Sequence, residues 1–202
     1  ANQVQLSSAL TTHGSVTLDL VSDTAADVVI FNVADSAFKA AGHTDDLGLT
    51  LVSNFNVSHD KFAVIVKGNS GREFSTATSS FQSGTANLTD DLTFVEYDSL
   101  LKNGSVTNMN QVSEIKTDIA RAIANFTSGA DRLTYATYLS DGSNHTAVLA
   151  AADLAGVTSD KSNLTSSDSF EVAAIAELRG VQNGALGTLS GFNMTEKPNG
   201  FS

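Results

Sequence analysis

Cysteine and tryptophan are absent from this chain of 202 residues, and proline occurs once, at Pro198. Without cysteine there is no disulfide, no thiolate nucleophile, and no zinc–thiolate or iron–sulfur site. Without tryptophan, and with three tyrosines, the chain has few of the aromatic faces on which sugar-binding platforms rely. The missing cysteines therefore exclude the thiolate-based sites, and the scarcity of aromatic rings weakens the case for a sugar-binding platform.

Basic residues are also scarce, because 11 Lys and Arg stand against 22 Asp and Glu and leave a net charge of −11. Nucleic acids and anionic membrane surfaces attract basic proteins, so we expect neither as a partner. No apolar run is long enough to cross a bilayer, and we expect no membrane insertion. Hydrophobic residues nevertheless make up 41% of the chain, which is enough to build the core of one sizeable domain.

Sequence patterns that carry chemistry are missing as well. No two of the four histidines are spaced like metal ligands, and there is no nucleophile elbow, dinucleotide glycine pattern or phosphate-binding loop. The acidic pairs Asp45–Asp46 and Asp90–Asp91 offer oxygens to calcium, but the EF-hand pattern is absent. We therefore predict no catalytic residue, no metal site and no cofactor other than covalent sugar.

Seven Asn-x-Ser/Thr triplets, the acceptor pattern for N-linked sugar, are spread between residues 56 and 193. Chance would supply roughly three or four triplets in this composition, so their number is about twice the expected one. The predicted glycosylation sites are Asn56, Asn87, Asn103, Asn125, Asn144, Asn163 and Asn193.

Strand patterns dominate. Val16, Leu18 and Leu20 alternate with polar residues, and the apolar run 27–34 is typical of a strand buried on both faces. Further strands are predicted at 48–57, 61–68 and 92–97. A strand is also predicted at 132–139, with Leu133, Tyr135 and Leu139 buried and with Asn125 and Asn144 at the surface near its ends.

One amphipathic helix is predicted at about 110–126, because Val112, Ile115, Ile119 and Ile123 recur along one stripe. Two later segments leave the choice between helix and strand open. Segment 146–156 is alanine-rich and ends at Gly156. Segment 168–182 begins like a capping box but then alternates as a strand does, and we favour the strand.

Together these patterns predict a mainly β fold, specifically a single β-sandwich of the jelly-roll or immunoglobulin-like kind with one helix. We divide the chain into an N-terminal β segment (1–22), a sandwich domain (23–196) and a flexible tail (197–202).

The seven triplets and the Ser/Thr/Asn-rich strands are the features in which the chain resembles glycosylated subunits of archaeal extracellular filaments, namely pili, archaella and threads. The resemblance implies a structural protein without enzymatic activity, located at the cell surface or outside the cell, whose partner is itself. Residues 1–21 are polar and alternating, unlike the apolar N-terminal helix of archaellins and type IV pilins. The thread type, built by strand exchange between subunits, therefore fits better.

The N-terminal segment suits such an exchange because it is long, β-patterned and able to complete a neighbour's open sheet. Its predicted subunit contacts are Val4, Leu6, Leu10, Val16, Leu18 and Leu20. Pairing of this segment within its own chain is the alternative arrangement. A viral coat or decoration protein is the alternative function, and a secreted carbohydrate-active enzyme or binding module is the third.

Overall fold

A computed structural model describes residues 3–7, 16–20, 24–43, 47, 49–67, 73–75, 81–83, 86–88, 94–100, 112–126, 132–140, 145–157 and 164–181. The strands of these ranges are β1 (Gln3–Ser7), β2 (Val16–Asp19), β3 (Val28–Val33), β4 (Thr50–Ser53), β5 (Lys61–Lys67), β6 (Glu73–Ser75), β7 (Phe81–Ser83), β8 (Ala86–Leu88), β9 (Phe94–Leu100), β10 (Ile123–Phe126), β11 (Arg132–Ser140), β12 (His145–Asp153) and β13 (Glu171–Arg179). Helix α1 spans Val112–Ala122, and a short 3-10 turn spans Asp35–Ala37.

The strands form two larger sheets and one small pair. The four-stranded sheet has the order β1-β3-β5-β6, the seven-stranded sheet has the order β2-β4-β13-β12-β11-β9-β7, and β10 pairs with β8. Parallel and antiparallel neighbours are mixed, since β1, β3 and β5 run parallel whereas β11, β12 and β13 alternate in direction. From β1 to β5 the chain passes back and forth between the two sheets, because parallel neighbours cannot be joined by a tight turn.

Both larger sheets contribute buried side chains to one hydrophobic cluster, which we call the main core. The four-stranded sheet contributes Val29, Phe31, Phe62 and Val64, and the seven-stranded sheet contributes Val52, Leu149, Ile175 and Leu178. On the other face of the four-stranded sheet, Ile30 and Ile65 are also buried. The predicted burial of segment 27–34 on both faces is thus confirmed for β3.

Helix α1 covers the opposite face of the seven-stranded sheet and forms a second core, the helix core. Val112, Ile115 and Ile119 pack in one cluster with Val148 and Val172, which are inner residues of β12 and β13. The middle of the seven-stranded sheet is therefore buried on both faces. This double burial explains why β12 and β13 are nearly continuous in apolar residues, as strands covered on both sides usually are.

The predicted helix at 110–126 ends earlier than its sequence pattern does. Ile123 stays on the apolar stripe and is buried in the helix core, but residues Ile123–Phe126 leave the helix and form β10. The backbone of this segment pairs with β8, a partner distant in sequence that no helical periodicity reveals. The favoured strand in 168–182 is confirmed as β13, and the open choice at 146–156 resolves to strand β12.

The predicted mainly β fold is confirmed in its general form, as mostly strands in mixed sheets with one helix in the described ranges. The predicted tail at 197–202 lies outside the described residues.

Candidate functional site

The candidate site is the 54–60 loop, which joins β4 to β5 and carries the first Asn-x-Ser triplet. Asn54 has φ = 61°, a left-handed conformation that asparagine adopts more readily than most residues. The strand predicted for 48–57 therefore ends at Ser53. Phe55 is buried in the main core, with its ring centroid 6.3 Å from that of Phe62, and this contact anchors the loop.

Asp60, a carboxylate only 3% exposed, closes this loop. Its Oδ1 accepts the backbone N–H of Asp27 at 3.0 Å, and its Oδ2 accepts that of Asn56 at 2.7 Å. In return, the carbonyl oxygen of Asn56 accepts the N–H groups of His59 at 3.0 Å and Asp60 at 2.7 Å. The carboxylate thus fastens the loop to the residue that precedes β3 and satisfies two backbone donors.

The triplet Asn56-Val57-Ser58 occupies the turn of this loop. Both Asn56 and Ser58 are exposed, whereas Val57 is half-buried and packs against the main core. The Oδ1 of Asn56 accepts the backbone N–H of Ser58 at 3.0 Å. An asparagine side chain bonded in this way to the N–H two residues ahead forms an Asx-turn.

Two other triplets begin in strands rather than in loops. Asn87 lies in β8 and Asn125 lies in β10, and the two residues are direct partners in the parallel pairing of these strands. The sequence predicts Asn125 in a loop near the end of strand 132–139. The structure has β11 at the predicted strand, but Asn125 lies in a separate strand, β10. Asn103, Asn144, Asn163 and Asn193 lie outside the described residues, as do the side chains of β11.

The N-terminal segment contributes one edge strand to each large sheet. Strand β1 pairs in parallel with β3, from Gln3 opposite Val28, and β2 pairs in parallel with β4, from Val16 opposite Thr50. Both are the first strands in the order of their sheets. Within the single chain of this structure, the segment thus lies against its own domain.

The predicted contact residues of this segment differ in burial. Val16 is 36% exposed, Leu18 is half-buried against the main core, and Leu20 is buried in it. Val4 and Leu6 lie in β1, and Leu10 lies outside the described residues. The last residues of β2 also touch the 54–60 loop, because Asn54 Nδ2 donates to Asp19 Oδ1 at 2.7 Å.

A pocket of about 500 Å³ opens beside α1, between the turns that follow β12 and precede β13. Its lining includes the carboxylates of Asp153, Asp168 and Glu171. Gly156 lies so close to the Ser169 carbonyl that an added Cβ would be 2.5 Å from the oxygen. A glycine is required there because the two turns are in contact.

Lys116 lines this pocket and is only 2% exposed. Its Nζ donates to the Asp168 carbonyl oxygen at 2.8 Å and lies 4.3 Å from the centroid of the Phe170 ring. Burial lowers the pKa of Lys116, and the Asp168 carboxylate partly opposes this shift. The ammonium therefore fastens the turn before β13 to the helix. This residue was not identified from the sequence. Its position, next to Ile115 and four residues after Val112 on the apolar stripe of the helix, is the signal that indicates its burial.

Glu177 is half-buried on β13, and burial raises the pKa of its carboxyl group above 4.5, partly opposed by Arg179. A raised pKa means that folding favours the protonated acid, so the charged form destabilises the fold at neutral pH. We expect Glu177→Gln to be more stable than the natural chain at pH 7. The difference should shrink as the pH falls through the raised pKa, because the glutamate then becomes neutral as well.

Urea denaturation from pH 7 down to pH 4 would measure this effect. Glu171→Gln is the matched control, since Glu171 is exposed on the same strand. A stability difference for Glu177→Gln that does not change with pH would show that burial of the charge is unimportant.

No group of three or more metal-binding side chains is found among the residues that the structure describes. Within the same ranges, no helix combines the length and the hydropathy needed to cross a membrane. Comparison with protein-family models, curated proteins and solved structures finds no match to this chain.

Proposed function

We propose that the chain is a structural subunit of an extracellular or cell-surface filament, glycosylated on several of its triplets, which assembles with copies of itself by exchange of N-terminal strands. The observation that supports this proposal best is the position of β1 and β2. One continuous segment supplies an edge strand to each of the two large sheets.

The segment is separable from the domain that it covers. Among its described side chains, Val16, Thr17 and Asp19 are exposed, and Leu20 is the only one that is buried. The main core otherwise consists of residues from β3 onwards, and the helix core begins at Leu47. A domain without the segment would therefore keep nearly all of its described apolar contacts.

Removal of the segment would, however, uncover the backbone donors and acceptors of β3 and β4. An unpaired edge of this kind accepts a strand from another chain, because each ladder hydrogen bond is recovered. Burial of Leu18 and Leu20 against the main core of the neighbour would add apolar contact at the same junction. When each subunit donates to the next, the contact does not close on itself, and a filament results.

We also propose that the two large sheets form a sandwich, on the ground that both contribute side chains to the main core. Jelly-roll and immunoglobulin-like sandwiches are built from antiparallel strands. The parallel pairing of β1, β3 and β5 favours a different topology for this sandwich.

Strand exchange predicts a specific cross-link between chains. Val16 and Thr50 are direct partners in β2 and β4, and neighbouring strands lie about 4.8 Å apart, within the range of a disulfide. Because the natural chain has no cysteine, Val16→Cys and Thr50→Cys introduce the only thiols. We expect filaments assembled from a mixture of the two single variants to form covalent dimers under oxidation.

The matched control replaces Thr50→Cys with Ser113→Cys, which places the thiol at an exposed position on helix α1. Gel electrophoresis without reductant then compares the two mixtures. A double variant, which carries Val16→Cys and Thr50→Cys in one chain, tests pairing within that chain. If it forms an internal cross-link, and if covalent dimers in the mixture of single variants are no more abundant than in the control mixture, the segment stays in its own chain. Electron microscopy of native material that showed closed shells would favour a viral coat protein instead.

A further inference from the structure

We propose that Asn56 is a glycosylation site used on the folded protein, whereas Asn87 and Asn125 accept sugar only before their strands pair. This inference rests on the proposed function, because it identifies which of the predicted triplets can receive sugar once the domain has formed. The ligand is a sugar activated by a phosphate or pyrophosphate ester at its anomeric carbon.

The first argument is the exposure of the Asn56 side chain. Asn56 and Ser58, the two residues that define the triplet, are both exposed, and no hydrogen bond involves Asn56 Nδ2 or Ser58 Oγ among the residues described. The amide nitrogen and the hydroxyl group are therefore open to an enzyme. Both belong to the loop that follows the end of β4.

The second argument is the conformation of the side chain. The Ser58 N–H donates to Asn56 Oδ1, and this bond withdraws electron density from the amide oxygen and favours loss of a proton from Nδ2. In the transfer step, Nδ2 attacks the anomeric carbon and forms the N–C bond. The bond from that carbon to the phosphate oxygen breaks, the phosphate leaves with the electron pair, and the amide proton passes to a base of the transferase.

The third argument is the rigidity of the loop. Phe55 is buried in the main core, Val57 packs against it, and the Asp60 carboxylate holds the backbone N–H of Asn56. The acceptor is therefore held in its turn before any enzyme binds it. Such preorganisation removes part of the ordering cost of recognition.

Asn87 and Asn125 lie in paired strands and not in a turn. The middle residues of their triplets, Leu88 and Phe126, are direct partners in the pairing of β8 with β10. An extended residue held in a ladder cannot form the turn that Val57 adopts. An enzyme would first have to open the two-stranded pair.

The test offers the folded, unglycosylated chain to membranes of the producing cell, supplemented with their lipid-linked sugar donor. Peptide mass mapping then gives the occupancy of each asparagine, for the folded chain and for the chain unfolded in advance. In the folded chain we expect the occupancy of Asn56 to exceed that of Asn87 and Asn125 by about tenfold or more, because strand opening limits the latter two. Unfolding should remove this preference.

Two variants separate recognition of the triplet from loss of the fold. Ser58→Ala should abolish modification of Asn56, and Ser58→Thr, which keeps the hydroxyl group, should retain it. Sugar on Asn87 or Asn125 of the folded chain but not on Asn56 would overturn this inference and leave the proposed glycoprotein intact. Sugar on none of the seven asparagines, in either arm, would overturn both.

Discussion

Replacement of Ile119 by alanine is expected to lower the free energy of unfolding by about 2–4 kcal/mol. Ile119 is completely buried and is one of the largest side chains with less than 2% exposure. It packs in the helix core with Ile115 and Val148, so truncation would leave a cavity between α1 and the seven-stranded sheet. The neighbouring strand residues Ala150 and Ala174 are too small to fill that cavity.

Urea denaturation of the natural chain and the variant would measure the loss. Arg121→Ala is the matched control, because Arg121 is exposed on the last turn of the same helix. A loss below about 0.5 kcal/mol for Ile119→Ala, similar to that of a surface substitution, would show that α1 is peripheral to the fold.

The positions of most strands follow from local sequence patterns. The alternation at 16–20 and the apolar runs at 27–34 and 61–68 correspond to β2, β3 and β5. These predictions succeed because a half-buried strand shows alternation, and a fully buried strand shows a continuous apolar run, within a few consecutive residues of the sequence.

The pairing of strands could not be predicted in the same way. Strand β13 lies between β4 and β12, and β4 is more than a hundred residues earlier in the chain. Parallel neighbours of this kind leave no turn signature in the sequence. Burial of β12 on both faces also removes its alternation, and this is the physical reason why segment 146–156 was ambiguous between helix and strand.

The candidate sugar sites were predictable as triplets but not as conformations. The Asn-x-Ser/Thr pattern is the same at Asn56 and Asn87, yet one lies in a turn and the other in a strand. The difference arises from Asp60 and from the left-handed Asn54, whose roles depend on contacts with Asp27 and Asp19. Asparagine and aspartate at 54, 56 and 60 were nevertheless a turn signal, and it argued against extending β4 to Val57.

The 54–60 loop also links the two proposals. The Asp19 side chain at the end of β2 accepts a hydrogen bond from Asn54, two residues before the candidate glycosylation site. If β2 is donated by a neighbouring subunit, this bond crosses the junction between subunits. A sugar on Asn56 would then lie close to that junction.

Replacement of Asp60 by alanine is expected to destabilise the fold by about 3 kcal/mol, because hydrogen bonds to a charged group contribute roughly 1.5–3 kcal/mol each. The variant leaves the N–H groups of Asp27 and Asn56 without their carboxylate acceptor, and the first of these bonds is buried. It also removes the two carboxylate bonds that hold the loop, so the Asx-turn at Asn56 should be populated less often. Sugar occupancy at Asn56 on the folded chain should fall with it.

Asp60→Asn tests the contributions of the two carboxylate oxygens separately. The amide keeps one oxygen as an acceptor but presents an NH₂ group to the other N–H donor, so its stability should lie between those of the natural chain and Asp60→Ala. Thermal or urea denaturation gives the order of the three proteins, and peptide mass mapping gives the occupancy at Asn56. If Asp60→Ala melts like the natural chain, the carboxylate does not hold the loop. If it is destabilised but Asn56 is modified as before, the Asx-turn forms without Asp60, and the rigidity of the loop has no part in the selection of this asparagine.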